Sequence, residues 1–315
     1  MSQKGIKVRS IGRYSIYLVL LGMVLILSVF TNTFFTMKNA LNVFRQISMN
    51  AILAFGMTFV IISDGIDLSV ASTIALCGVL AGSCAHPDQF PIIVPVLVSV
   101  CVGLIIGLLN GLTVAYTGIP PFIVTLGFQQ MVRGFAFIYT GGTSVIKFND
   151  SYKYIGQGFL LGIPFPIYLM ALIGIIAYVL LQKTKHGRRL YAVGGNAQAA
   201  RVSGINVRKI RASAYVISGF CAAIVALILT SRTNSSNPNV AEGNELDAIA
   251  AAVIGGTSMS GGKGTIIGTF VGALIIGILN NGLDLLNVSS YVQQVVKGAI
   301  IIIAVLIDRM NENKT

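Results

Sequence analysis

Stretches without Asp, Glu, Lys or Arg, each long enough to cross a bilayer, recur along the chain: 14–37, 46–63, 68–87, 89–132, 154–182, 212–231 and 264–283. A helix needs about 20 apolar residues to span the hydrocarbon core, so 89–132 has room for two. A soluble domain has no means of burying this much apolar surface. The pattern predicts an all-α fold, a polytopic transmembrane helical bundle of about ten spans. These lie at 14–35, 47–63, 68–85, 92–116, 120–140, 164–182, 212–231, 245–257, 264–285 and 290–307. The eighth is short. The second and third are separated only by Asp64, Gly65, Ile66 and Asp67.

Composition agrees with lipid as the solvent. Of 315 residues, 55% are hydrophobic and 10% charged, with a mean hydropathy of +0.82, whereas soluble domains carry roughly a quarter charged residues. The chain reads as one membrane domain, 1–315. Its longest polar stretch, 183–211, is too short to fold separately. The first apolar run follows Lys4, Lys7, Arg9 and Arg13; it is longer than a signal-peptide core and is expected to be a retained first span.

The net charge of +12 does not mark a nucleic-acid binder, because the positive residues gather in a few loops. With residues 1–13 as a cytoplasmic tail, fifteen Lys and Arg fall on the cytoplasmic side and five on the other. Eight of the fifteen lie in 183–211. This asymmetry predicts both termini inside, with a second tail at 308–315. Cys77, Cys84, Cys101 and Cys221 all lie in apolar runs, and His86 and His186 stand far apart. Neither set has metal-ligand or disulfide spacing, and no cofactor is expected.

Two pairs of segments hint at an internal repeat. Residues 106–111 (IGLLNG) resemble 276–282 (IGILNNG), and 129–134 (QQMVRG) resemble 293–298 (QQVVKG). Five spans in each half would be inverted in the membrane, as in many transporters. Chance is the competing explanation, since Gly, Leu and Ile abound here.

The polar residues within this apolar background are the candidate functional groups. Asp64 and Asp67 flank Gly65 in a break between spans. Asp67 suits capping the next helix; alternatively both carboxylates line a pathway through an interrupted helix. Arg133 and Lys297 fall inside spans, with Gln129, Gln130, Gln293 and Gln294 within about a turn of them. Amides there can bond sugar hydroxyls or hold helices together. The run from Gly255 and Gly256 to Gly261, Gly262, Lys263, Gly264 and Thr265 brings a phosphate loop to mind. It fails that pattern: Thr257 stands where the first Gly belongs, and Gly264 follows the Lys. These glycines instead suit close packing and turns at the membrane face. Finally, 183–211 contains Gly195, Asn196, Ala199, Ala200, Ser203, Gly204, Ile205 and Asn206. Asn196 can cap a short helix over 197–202 that Gly204 ends. A basic loop that fixes topology and touches anionic lipid would explain the charge, but a capped Ala-rich helix also suits docking into a partner's groove.

Three of these motifs together resemble the ribose-type monosaccharide permeases of ABC transporters. They are 64–70 (DGIDLSV), 194–206, and 245–250 (ELDAIA) with 261–265 (GGKGT). The family includes galactoside, xylose and autoinducer-2 permeases, with branched-chain amino-acid relatives further off. The similarity runs over about 34–308, and residues 280–283 and 288–291 strengthen the ribose-type match. The resemblance implies a bacterial inner-membrane subunit that moves a monosaccharide, ribose first among them, by alternating access. It implies a second permease copy in a homodimer. It also implies ABC ATPase subunits, separate or tandem-fused, on the cytoplasmic side and an extracytoplasmic sugar-binding protein on the other. The segment from Gly195 to Asn206 would contact the ATPase, and ATP hydrolysis would belong to that partner.

Two other classes compete. An ion-coupled secondary transporter usually needs carboxylates buried in the membrane, whereas Asp64, Asp67, Glu245, Asp247, Asp284 and Asp308 are expected at span ends or breaks. An integral-membrane enzyme lacks any His, Cys and carboxylate constellation to support it.

Overall fold

A computed structural model describes residues 17–18, 20–29, 31, 33–86 and 90–312. The expected tail at 1–13, and residues 313–315 of the expected tail at 308–315, lie outside the described residues. The described chain is mostly helical. Its apolar helices are α1 (Leu20–Val29), α2 (Met37–Ile62), α3 (Val70–Cys84), α4 (Ile93–Thr117), α5 (Pro121–Thr140) and α7 (Phe165–Tyr178), then α10 (Val207–Thr233), α11 (Asn244–Ile254), α12 (Ile266–Leu285) and α13 (Ser290–Glu312). Each expected span therefore meets a helix. Among the described residues, six helical stretches are long and apolar enough to cross a membrane: α2, α4, α5, α10, α12, and α7 extended by a π turn at Val179–Lys183. α11, with 11 residues, is too short to cross alone.

α2 and α10 form the centre of the bundle. Most of α2 beyond Ile47 is buried, as are Tyr215, Ala222, Ala226 and Ile228 on α10. α10 packs on α2, α3 and α4, and α2 also takes α7, α11 and α12. A close seam joins α4 to α10. Gly103, Gly107 and Gly111 recur at every fourth residue, so they share one face of α4. A Cβ on Gly107 would stand 3.0 Å from Val216 Cα, and one on Gly111 2.8 Å from Ala212 Cα. The bare backbones pack directly, as small-residue stripes allow in membranes. Ser99 extends the seam by donating to the Ala223 carbonyl at 3.0 Å.

The segments between spans hold two features that the apolar pattern does not reveal. At one end lie α6 (Asp150–Gln157) and two short antiparallel ladders, so the fold is not purely helical. β1 (Val145–Ile146) pairs with β4 (Ser235–Ser236), and β2 (Phe159–Leu160) pairs with β3 (Ile163–Pro164). At the opposite end, α8 (Lys185–Gly195) and α9 (Ala197–Val202) fill most of the basic loop.

Beyond Asp64, the break between α2 and α3 is buried or half-buried. Asp67 Oδ1 accepts the Ser69 backbone N–H at 3.0 Å and the Ser69 hydroxyl at 2.6 Å; Oδ2 accepts the Ser218 hydroxyl at 2.8 Å. Asn110 Nδ2 donates to Ser69 Oγ at 2.9 Å, and Thr125 Oγ1 donates to the Ile66 carbonyl at 3.1 Å. Side chains from α4, α5 and α10 thus satisfy hydroxyl, backbone and carboxylate groups that lipid could not.

Candidate functional site

The loop end is built from backbone contacts among three segments. Gly262 donates its N–H to the Ile62 carbonyl at the end of α2, 2.9 Å away. A Cβ on Gly194 would strike that same carbonyl, and its distance to Gly262 N would be 2.7 Å. Gly261 and Gly262 hold φ of 77° and 70°, a left-handed conformation that glycine adopts without steric cost. Tyr191 of α8 donates its hydroxyl to the Gly264 carbonyl at 2.7 Å. At Gly194, Ile62 and Gly262 the three segments therefore meet backbone to backbone, with the Tyr191 side chain as a further tie. Gly255 and Gly256 lie farther along this loop; Gly255 packs against the backbone of Gly268 and Thr269 on α12.

Asp64 stands beside this junction, exposed, with Arg211 Nη2 3.3 Å from its carboxylate. Partial burial pushes its pKa above the usual carboxylate value, and Arg211 pulls the other way. Such an exposed pair contributes about 0–1 kcal/mol. Asp64→Asn is therefore expected to leave thermal stability within about 1 kcal/mol of the parent; a melting shift beyond that range would show that the pair bears more of the junction.

α9 is presented outward from the junction. Asn196 Oδ1 accepts the Ala199 N–H at 2.9 Å, Gly204 ends the turn with φ 79°, and Asn206 Oδ1 accepts the Lys209 N–H at 3.1 Å to start α10. Ala200 is only 4% exposed and faces the protein, with its carbonyl bonded to the Ile205 N–H. Gly195, Ala199, Ser203 and Gly204 are exposed, and Ile205 is half-buried. The most exposed apolar side chain on α9 is one that the sequence alone does not single out: Val202, at 86%. Asn196→Ala is expected to cost about 1 kcal/mol of local helix stability, seen as faster amide exchange at Ala199.

A second cluster gathers around the first turn of α11. Arg133 of α5 donates to the Pro238 and Val240 carbonyls, the latter at 3.0 Å, in the segment leading into α11. Gln129 Nε2 lies 3.4 Å from Glu245 Oε1, and Lys297 of α13 pairs with Asp247 at 2.9 Å. Gln130 and Gln294 are exposed. Gln293 turns instead to Asp284 Oδ1 at 2.9 Å and the Val288 carbonyl at 3.0 Å. Glu245 and Asp247 were not singled out by the sequence as site residues. The available signal was two acids two residues apart opening a short apolar helix. Glu245 is 7% exposed, and its Oε2 has no hydrogen-bond partner among the described residues.

Apolar helices, a polar cluster between them and a small helix projecting from a basic loop are parts that a membrane transport protein would need. The profile of the family described as "Branched-chain amino acid transport system / permease component" matches residues 39–305, and the chain belongs to that family. It is 47% identical to the ribose import permease protein of Bacillus subtilis (strain 168), over 93% of this chain and 91% of that one. It is 44% identical to the ribose import permease protein of Haemophilus influenzae, over 95% and 94%. The xylose transport system permease protein of H. influenzae is 35% identical, over 95% of this chain and 97% of the relative. No solved structure matches.

Proposed function

We propose that this chain is the membrane-spanning permease subunit of an ATP-driven sugar importer in a bacterial inner membrane, with ribose as its first substrate. One observation carries the reading: 43–47% identity over at least 93% of the chain to proteins named ribose import permeases. The ATPase, single or tandem-fused, docks on α9, a binding protein delivers sugar from outside, and a second copy of the chain completes the pathway.

The ten helices that meet the expected spans carry the chain across the membrane, α11 together with the segment that leads into it, and both termini lie in the cytoplasm. Two halves of five make an inverted repeat. Packing supports this: α3 and α4 pack on α10 while α11 and α12 pack on α2, and the pairs α3–α5 and α11–α13 also correspond. Exchanging α2 with α10, α3 with α11, α4 with α12 and α5 with α13 maps one set of partners onto the other. The resembling segments at 129–134 and 293–298 lie on α5 and α13, as this exchange requires.

The cluster of Gln129, Gln130, Arg133, Glu245 and Asp247, with Gln294 and Lys297, lines the sugar's route. Asp67 holds the broken segment in shape, and Gln293 fixes the α12–α13 turn. Closure of the ATPase displaces α9 and α8. Because Gly194 rests on Ile62 and Gly262, that displacement passes into the glycine-rich loop and along α11 to its first turn. The helix that receives the stroke carries the acids of the route.

Asp67 favours a second reading strongly enough to test. It is 1% exposed, enclosed more deeply than a carboxylate at a span end would be, as an ion-coupled transporter requires. Reconstitution with the partner ATPase and binding protein, supplying ATP and ion gradients separately, decides between the two. Ribose uptake that needs ATP and both partners supports the importer. Gradient-driven uptake by this chain alone would overturn it, and ATP-driven uptake of a different solute would correct only the substrate.

A further inference from the structure

Beside the glycine seam of α4 and α10 runs an open groove of about 340 Å³. The seam creates it. Gly107 and Gly111 pull the two backbones together, while Leu108 and Leu112, each one position on, stand clear of the contact and form a wall. Val216 and Ala212 of α10 close the other side, and Tyr116, Arg208, Lys209 and Ser213 surround the mouth. Arg208 is held in place: its guanidinium lies 4.9 Å from the centre of the Tyr116 ring, a cation–π distance. Arg208 and Lys209 are both exposed, and no acidic side chain lines the groove.

We infer that this groove is a binding site for an anionic phospholipid, its phosphate held by Arg208 and Lys209 and its acyl chain lying along Leu108, Leu112 and Val216. The inference rests on the chain spanning the membrane and not on which sugar it moves. Depth supports it. Tyr116 closes α4 and Arg208 opens α10, so the mouth lies where both helices leave the apolar region. Tyrosine and arginine are at home there, between hydrocarbon and headgroups, and basic pockets between helices at that depth suit anionic headgroups. Charge argues against a second copy as the occupant: a chain of net charge +12 with ten acidic residues is a poor match for two unopposed cations. A zwitterionic lipid would set its own ammonium against them.

The test uses the full permease complex in nanodiscs of phosphatidylcholine with and without phosphatidylglycerol. Native mass spectrometry of the released complex counts retained lipids. The parent is expected to retain phosphatidylglycerol over phosphatidylcholine on the order of tenfold. In R208Q/K209Q the ratio should fall close to one. In the control K185Q/R188Q, which removes the same charge from the same loop outside the groove, it should stay near tenfold. The charge-preserving R208K/K209R should retain most of the preference, which separates loss of binding from loss of fold. Three results would overturn the site: no preference in the parent, an equal loss in the control, or L112C chains forming disulfide-linked dimers in the membrane, which would place a second copy in the groove.

Discussion

Val202→Glu is expected to cut ATP-driven uptake at least tenfold while the chain still inserts and folds. The side chain is 86% exposed and ends α9, so nothing within the chain is lost with it. If α9 docks on the ATPase as proposed, Val202 is covered in that interface, and a charge buried there without a partner costs several kcal/mol. That cost falls on docking, not folding. The measurement is uptake alongside pull-down of the ATPase: both should fall together, with membrane insertion unchanged. Ala200→Glu is the instructive contrast. Ala200 is 4% exposed, so a charge there disrupts the packing of α9 itself, and thermal stability should fall along with uptake. Equal uptake in Val202→Glu and the parent would remove α9 as the docking element.

Gly107→Leu is expected to abolish the folded state. Its side chain would enter between backbones already in contact, against the Tyr215 carbonyl and 3.0 Å from Val216 Cα. Neither helix can retreat, because α10 is also packed on α2 and α3. Overpacking in a flexible core costs about 1–3 kcal/mol; insertion against backbone should exceed about 4 kcal/mol, enough to exhaust much of a domain's stability. The readout is the fraction of chain surviving detergent extraction as a monodisperse species. Gly134→Leu on α5 controls for substitution itself: a Cβ there meets nothing within 4 Å, and the variant should extract like the parent. If Gly107→Leu behaves like Gly134→Leu, the seam is not what joins α4 to α10.

Much of this was legible because lipid imposes a strong constraint on sequence. Charge-free runs located the apolar helices, since a charge facing hydrocarbon is costly wherever it falls. Asn196 and Gly204 marked the ends of α9 because capping is local chemistry, readable from a few neighbouring residues. What the sequence could not show depends on partners distant along the chain. That Asp67 would meet Ser218, or that Gly194 would rest on Ile62, cannot be seen in either neighbourhood. α6 and the short ladders escaped notice because two-residue strands carry no periodicity. The exposure of Val202 against the burial of Ala200 was hidden too: a six-residue helix is too short for an apolar stripe to reveal its inner face.

The stapled break between α2 and α3 has a consequence for how the protein is made. Asp67 reaches its Ser218 partner across 151 residues. At about 5–20 residues per second, the ribosome delivers Ser218 roughly 8–30 s after Asp67. During that interval the first helices are already in the membrane with one of the carboxylate's bonds unmade. The nascent hairpin must wait in a sheltered place, beside the insertion machinery or at the headgroup boundary, until α10 emerges. Synthesis that stalls before α10 therefore leaves this carboxylate with its local bonds to Ser69 and without the one from Ser218.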